Sequence, residues 1–268
     1  MRPADLGALY ATLTERGLAP KTVRNVHSLV RSALRDAVTW GPVTRNVASS
    51  IKPPRVAQSE MATWSAQQLR AFLDHVAEDR LYAAWLLLAT TGMRRGEALG
   101  LQWRDVSLDR ARLSVRQALV LVGNEPALQE PKTAKGRRSI PLPPQTVAAL
   151  KAHEAAQAQE RLALGADYDN SRDLVFRRPD GTCVHPSSLS RRFEALVRQT
   201  RLPEIRLHDL RHTFATLALQ AGVPVKVVSE MRGHASVTIT YDTYSHVIPG
   251  MAEDATSKVA ALLFPAHN

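Results

Sequence analysis

Apolar positions recur every three to four residues along most of the chain and alternate in two short stretches. Leu6, Leu9, Tyr10 and Leu13 predict a helix over residues 4–16, stopped by Gly17. A second helix starts at Pro20, a favourable first-turn residue, and ends near Gly41. One face of it is apolar (Val23, Val26, Val30, Leu34, Val38) and the other basic (Lys21, Arg24, His27, Arg31, Arg35). Periodicity then lapses. Residues 51–61, with Pro53-Pro54 among Ser, Ala and Gln, predict an extended linker. Ser65-Ala66-Gln67-Gln68 has the form of a capping box opening a helix to about residue 77, so a boundary falls near residue 60.

Beyond it the pattern runs α, β, α. A buried helix over 81–90 leads into Thr91-Gly-Met-Arg-Arg-Gly-Glu97. Strands follow at 113–122 and 138–142, with Gly123-Asn124 turning the first into its return. Helices are predicted at 144–164, 188–200, 208–221, 225–231, 237–246 and 251–263, and Asp180-Gly181 marks a turn. The chain therefore reads as mainly α with a small β-sheet, an α+β protein. A helical piece at 1–50 and a linker at 51–62 precede a larger domain at 63–268.

Composition narrows the classes. With 268 residues and 44% apolar content there is material for a real core, which excludes a disordered chain. The single cysteine, Cys183, excludes an internal disulfide framework and a multi-cysteine zinc site, and suits a reducing cytoplasm. The longest apolar run, 81–93, is too short to span a bilayer, and Pro3 and Asp5 stand where a secretory leader would begin. The net charge of +10 is uneven: residues 1–59 hold nine Lys+Arg against three Asp+Glu, and residues 201–268 hold six of each. An anionic partner follows, nucleic acid before membrane. The basic helix face alone leaves phosphate contact and a merely solvated surface both open.

No glycine-rich phosphate loop, dinucleotide fingerprint or serine nucleophile elbow is present. His208 and His212 have the i, i+4 spacing of a helical zinc pair. Asp209 stands where a glutamate base is expected, however, and Arg211 would place a cation beside the metal, so no metal is assigned. The remaining chemistry is a set of cations and histidines with a tyrosine: Arg94, Lys132, His208, Arg211, His234 and Tyr244. Arginine forks suit the non-bridging oxygens of a phosphodiester, and His208 and Arg211 lie on one helix turn.

Thr-Gly-Met-Arg94-Arg-Gly-Glu, Pro-Lys132-Thr-Ala-Lys-Gly-Arg-Arg-Ser-Ile-Pro-Leu, His208-Asp-Leu-Arg211-His and Arg-Gly-His234, followed ten residues on by Tyr244 within Asp-Thr-Tyr-Ser-His, stand in this order. Together they resemble the tyrosine recombinase (phage integrase) family over about residues 65–250. The resemblance implies a partial helical core-binding domain ahead of a tyrosine recombinase catalytic domain, with more helix expected before Ala4. It implies site-specific cleavage and rejoining of DNA through a 3′-phosphotyrosyl intermediate. Tyr244 would be the nucleophile, Arg94, Arg211 and His234 the phosphate and phenolate stabilisers, Lys132 the general acid and His208 a proton acceptor or relay. Lys135 rivals Lys132 for the acid, Tyr241 is a decoy for Tyr244, and His212 reads as packing or capping its helix. Lys21, Arg24, Arg31 and Arg35 are the expected DNA contacts.

No cofactor is implied. The implied partners are double-stranded DNA, further copies forming a homotetramer on two sites, and accessory DNA-bending or directionality proteins, with no membrane. The 251–263 segment is either a helix exchanged between protomers or one folded on its own core. A type IB topoisomerase-like relaxase and a truncated DNA-binding pseudo-integrase remain as alternatives. Arg232 departs from the family, which has an apolar residue there: buried, it would disturb packing under His234; exposed, it would add a phosphate contact.

Overall fold

A computed structural model describes residues 1–56, 61–131, 136–233, 236–244 and 263. Lys132, Lys135 and His234 lie outside the described residues, as does nearly all of the helix expected at 251–263. Two compact units divide the chain, Met1–Glu60 and Met61–Asn268.

In the first unit, α1 (Pro3–Glu15) starts on a proline, and the Asp5 carboxylate accepts from the Arg2 amide at 2.7 Å. Helix α2 (Pro20–Trp40) is followed by a 3₁₀ turn, Val47–Ser50. Asn46 ties that turn back by donating to the Arg31 carbonyl at 2.8 Å while accepting from the Ala48 amide. A small core of Leu6, Tyr10, Val23, Val47 and Ala48 results. Lys21, Arg24, Arg31 and Arg35 are exposed. His27, read from the sequence as part of their face, is instead buried, with Nδ1 3.0 Å from the Tyr10 hydroxyl. Burial and the neighbouring Arg31 and Arg24 hold its pKa below the usual histidine value. A helix stripe about 100° wide cannot separate a core-edge histidine from its basic neighbours, which is why the pattern misplaced it.

The second unit is built on α4 (Tyr82–Thr91), buried on nearly every side, as an almost wholly apolar helix must be. It packs against α3 (Ala66–His75), α5 (Arg95–Leu99), α6 (Pro144–Leu164) and α8 (Asp209–Gln220). Helix α3 opens on the expected capping box, Ser65 with Gln68. Trp64, Phe72, Trp85 and Phe193, the last on α7 (Pro186–Arg198), form an aromatic cluster with centroids 5.1 to 6.0 Å apart. Helices α9 (Val225–Arg232) and α10 (Val237–Tyr244) follow. No helix among the described residues is long and apolar enough to cross a membrane.

The predicted strand at 113–122 is two strands. β2 (Arg112–Val115) lies between β1 (Val106–Ser107) and β5 (Arg138–Pro141) in an antiparallel sheet. β3 (Ala118–Val122) leaves to pair with β4 (Glu125–Gln129) as a separate hairpin. Leu113, Val115 and Leu119 all face inward, so the alternation runs through the break and conceals the change of partner. The architecture is mainly α with small antiparallel sheets.

Candidate active site

The C-terminus of α9 organises the site. Gly233 ends the helix at φ +63°, a left-handed conformation natural to glycine, leaving the last carbonyls without helical partners. Three consecutive carbonyls each accept from a different arginine. Met231 O takes Arg138 Nε at 2.6 Å, Arg232 O takes Arg211 Nη2 at 2.5 Å, and Gly233 O takes Arg94 Nη2 at 3.3 Å. The partial negative charge of a helix C-terminus favours these cations. Elements distant in sequence, α5, β5 and α8, are thereby brought to one point.

Glu97 supplies the counter-charge. Its buried carboxylate accepts from Arg94 Nη1 at 2.8 Å and from Arg138 Nη2 at 2.8 Å. Burial pushes its pKa up, but Arg138 and Arg94 outweigh that and hold the carboxyl below its usual range. Glu97 thus orients cations. The Arg138 side chain, on β5, is buried against Glu97. Arg137, next to it, is exposed and pairs with Glu130.

Arg211, 3% exposed, also donates to the Gly92 carbonyl at 2.5 Å. Burial, then Arg232 and Arg94, push its guanidinium down to about 8. Among the described residues its hydrogen bonds go to backbone carbonyls and not to a carboxylate, so a phosphate would complete its charge balance. His208, at the start of α8, is open to solvent, yet the surrounding protein and the neighbouring Arg211 and Arg232 lower its pKa.

Tyr244 ends α10 fully buried, whereas Tyr241 is 49% exposed. The Tyr244 hydroxyl lies 2.6 Å from His212 Nδ1 on one side and accepts a short hydrogen bond from Arg232 Nη1 on the other. Burial raises the Tyr244 pKa, opposed by Arg232 first and then Arg211. The cation in contact with the phenol is therefore Arg232, and Arg211 also favours the ionised form. His212 does more than pack: it reaches the tyrosine oxygen and meets His208 edge-on at 5.2 Å between centroids. Burial, Arg232 and His208 lower it to about 4, so it is neutral at pH 7. Its i, i+4 relation to His208 is visible in the sequence; that Tyr244 packs against it is not. No cluster of metal-ligating side chains occurs among the described residues.

The phage integrase family model matches residues 63–250. The chain belongs to the phage integrase family. It is 30% identical over 263 residues to a protein described as tyrosine recombinase XerC-like, from Caldanaerobacter subterraneus subsp. tengcongensis, spanning 92% of this chain and 67% of that one. Its fold is similar to that of the Tn1549 transposon integrase solved with transposon right end DNA, at a TM-score of 0.81 and 22% identity, covering 97% and 86% of the two chains. A lambda integrase tetramer bound to a Holliday junction is also similar, at a TM-score of 0.63 and 17% identity, covering 91% and 64%. As a phage integrase the chain is a tyrosine-type site-specific DNA recombinase, an enzyme that cleaves and rejoins DNA strands, and the topoisomerase-like alternative falls away.

Proposed function

We propose that this recombinase cleaves through Tyr244, with Arg94, Lys132, His208, Arg211 and His234 as the other catalytic groups. The observation that carries the reading is the Tyr244 hydroxyl seated between His212 and Arg232, with the Arg211 guanidinium tethered to the Arg232 carbonyl. A phenol, with a pKa near 10 in water, is a poor nucleophile at neutral pH and needs both a proton acceptor and a cation. His212 Nδ1 takes the proton from Oη. The phenolate then attacks a backbone phosphorus, the bond to O5′ breaks, and O5′ leaves with a proton from Lys132. Arg94 and Arg211 have further N–H donors for the non-bridging oxygens, where transition-state charge grows. Their backbone tethers fix them before substrate arrives. His208, edge-on to His212, relays protons, and His234 helps to stabilise the phosphate and phenolate charge. The covalent link conserves the phosphodiester energy, so rejoining to a new 5′-hydroxyl needs no nucleotide cofactor.

Residues 1–50 serve as part of a DNA-gripping domain, with Lys21, Arg24, Arg31 and Arg35 on phosphates, and residues 63–268 as the catalytic domain. Their exposure and the +10 charge support this. Action as a homotetramer on two sites belongs to the same reading, in keeping with the lambda integrase tetramer, as do a cytoplasmic location and accessory DNA-bending or directionality proteins. On a nicked suicide substrate, Tyr244→Phe should bind DNA yet give no covalent adduct, and Tyr241→Phe should give one. The reverse pattern would overturn the assignment.

A further inference from the structure

Arg232 is the residue that the family resemblance does not explain. At 2% exposure it is buried, and among the described residues no carboxylate is its partner. Its Nη1 donates to the Tyr244 hydroxyl and its guanidinium lies over the Tyr244 ring, 5.1 Å from the centroid. Its Nε finds no acceptor among the described residues. Burying a guanidinium this way is costly, and an apolar side chain would fill the position without that cost. The cation does have one group to serve. Ionised, Tyr244 would give it the counter-charge it lacks, through a charge-assisted hydrogen bond.

We propose that Arg232 is a further catalytic residue of this recombinase: the cation that stabilises the Tyr244 phenolate during attack. The proposal rests on Tyr244 being the nucleophile. As Oη loses its proton to His212 Nδ1, the negative charge forms against Arg232 Nη1, and it passes to the phosphoryl oxygens as the Oη–phosphorus bond forms. The groups facing Tyr244 divide by element. Helix α8 presents His212 and Arg211, with His208 behind His212. Helix α9 presents Arg232, on which Arg94, ahead of α5, acts in turn. Glu97, the nearby carboxylate, is engaged by Arg94 and Arg138. Arg211 is committed to backbone carbonyls. Among the described cations, Arg232 is thus the one that both touches the oxygen and covers the ring.

The test is the pH dependence of adduct formation on a nicked suicide substrate, comparing wild type with Arg232→Leu, Arg232→Gln and Arg232→Lys. An opposite charge at this distance shifts a pKa by about one to three units. Both neutral variants should therefore cleave roughly tenfold or more slowly at pH 7 and recover as pH rises, with the profile moved alkaline by about one unit or more. Arg232→Lys should stay near the wild-type profile. Arg232→Gln, close in size and polar, carries the test if Arg232→Leu does not fold. A uniform loss at every pH would make Arg232 a packing residue, and faster cleavage would make it a latch on Tyr244; either overturns the proposal. Tyr244→Phe, run alongside, separates the two claims: an adduct there would sink the nucleophile assignment itself, whatever the Arg232 variants do.

Discussion

Glu97 is a buried carboxylate carrying two guanidiniums, and its ionisation links the stability of the fold to the geometry of the site. Its pKa is depressed in the folded state, so its stabilising contribution is complete above the unfolded carboxylate pKa of about 4.3 and is lost as pH falls through the folded value. Glu97→Gln should lower stability at pH 7 by roughly 3 kcal/mol, because Arg138 is left buried without its partner. It should also flatten the acid end of the stability profile, measured by denaturant melts between about pH 3 and 7. An unchanged acid limb would show that Glu97 is not the group responsible. At this scale the sequence is informative where a short motif carries the residue: Arg94 with Glu97, and Arg211 with His208, each within one helix turn. It does not give the partners that Arg138, His212 and Arg232 find in the fold. Their partners lie 41, 32 and 12 residues away, and no local pattern encodes such pairings.

Helix α9 and the β3–β4 hairpin show what elements add. A short helix whose C-terminal carbonyls take three arginines is a positioning device, and its geometry depends on the left-handed residue that ends it. The hairpin is held against α5 by close backbone approach at Gly100. A Cβ there would stand 2.7 Å from the Leu119 amide nitrogen and 2.9 Å from Ala118 backbone atoms. Gly100→Ala should accordingly destabilise the protein by about 1–3 kcal/mol in a denaturant melt, since backbone cannot yield as a flexible side chain can. A neutral result would mean that hairpin and helix separate freely. Helix positions are legible to within a residue or two because capping residues and periodicity agree at α1, α2, α3 and α6. The break between β2 and β3 is not, because a change of strand partner leaves the in–out alternation intact.

For the whole molecule, the +10 charge has two destinations. Cations on α2 stay exposed, whereas those of the second unit include four arginines drawn in around Tyr244 and Glu97. Only the first kind should dominate salt-dependent binding. Arg24→Ala with Arg31→Ala should weaken binding to duplex DNA across sequences and reduce the slope of log affinity against log salt by about 0.9 for each phosphate no longer neutralised. An unchanged slope would remove α2 from the DNA interface. The central claim, that Tyr244 is the residue joined to DNA, is tested most directly by digesting the trapped protein–DNA adduct and mapping the modified peptide by mass spectrometry. A nucleotide on Tyr244 is the expected result; a nucleotide on Tyr241, or on any residue other than Tyr244, would contradict it.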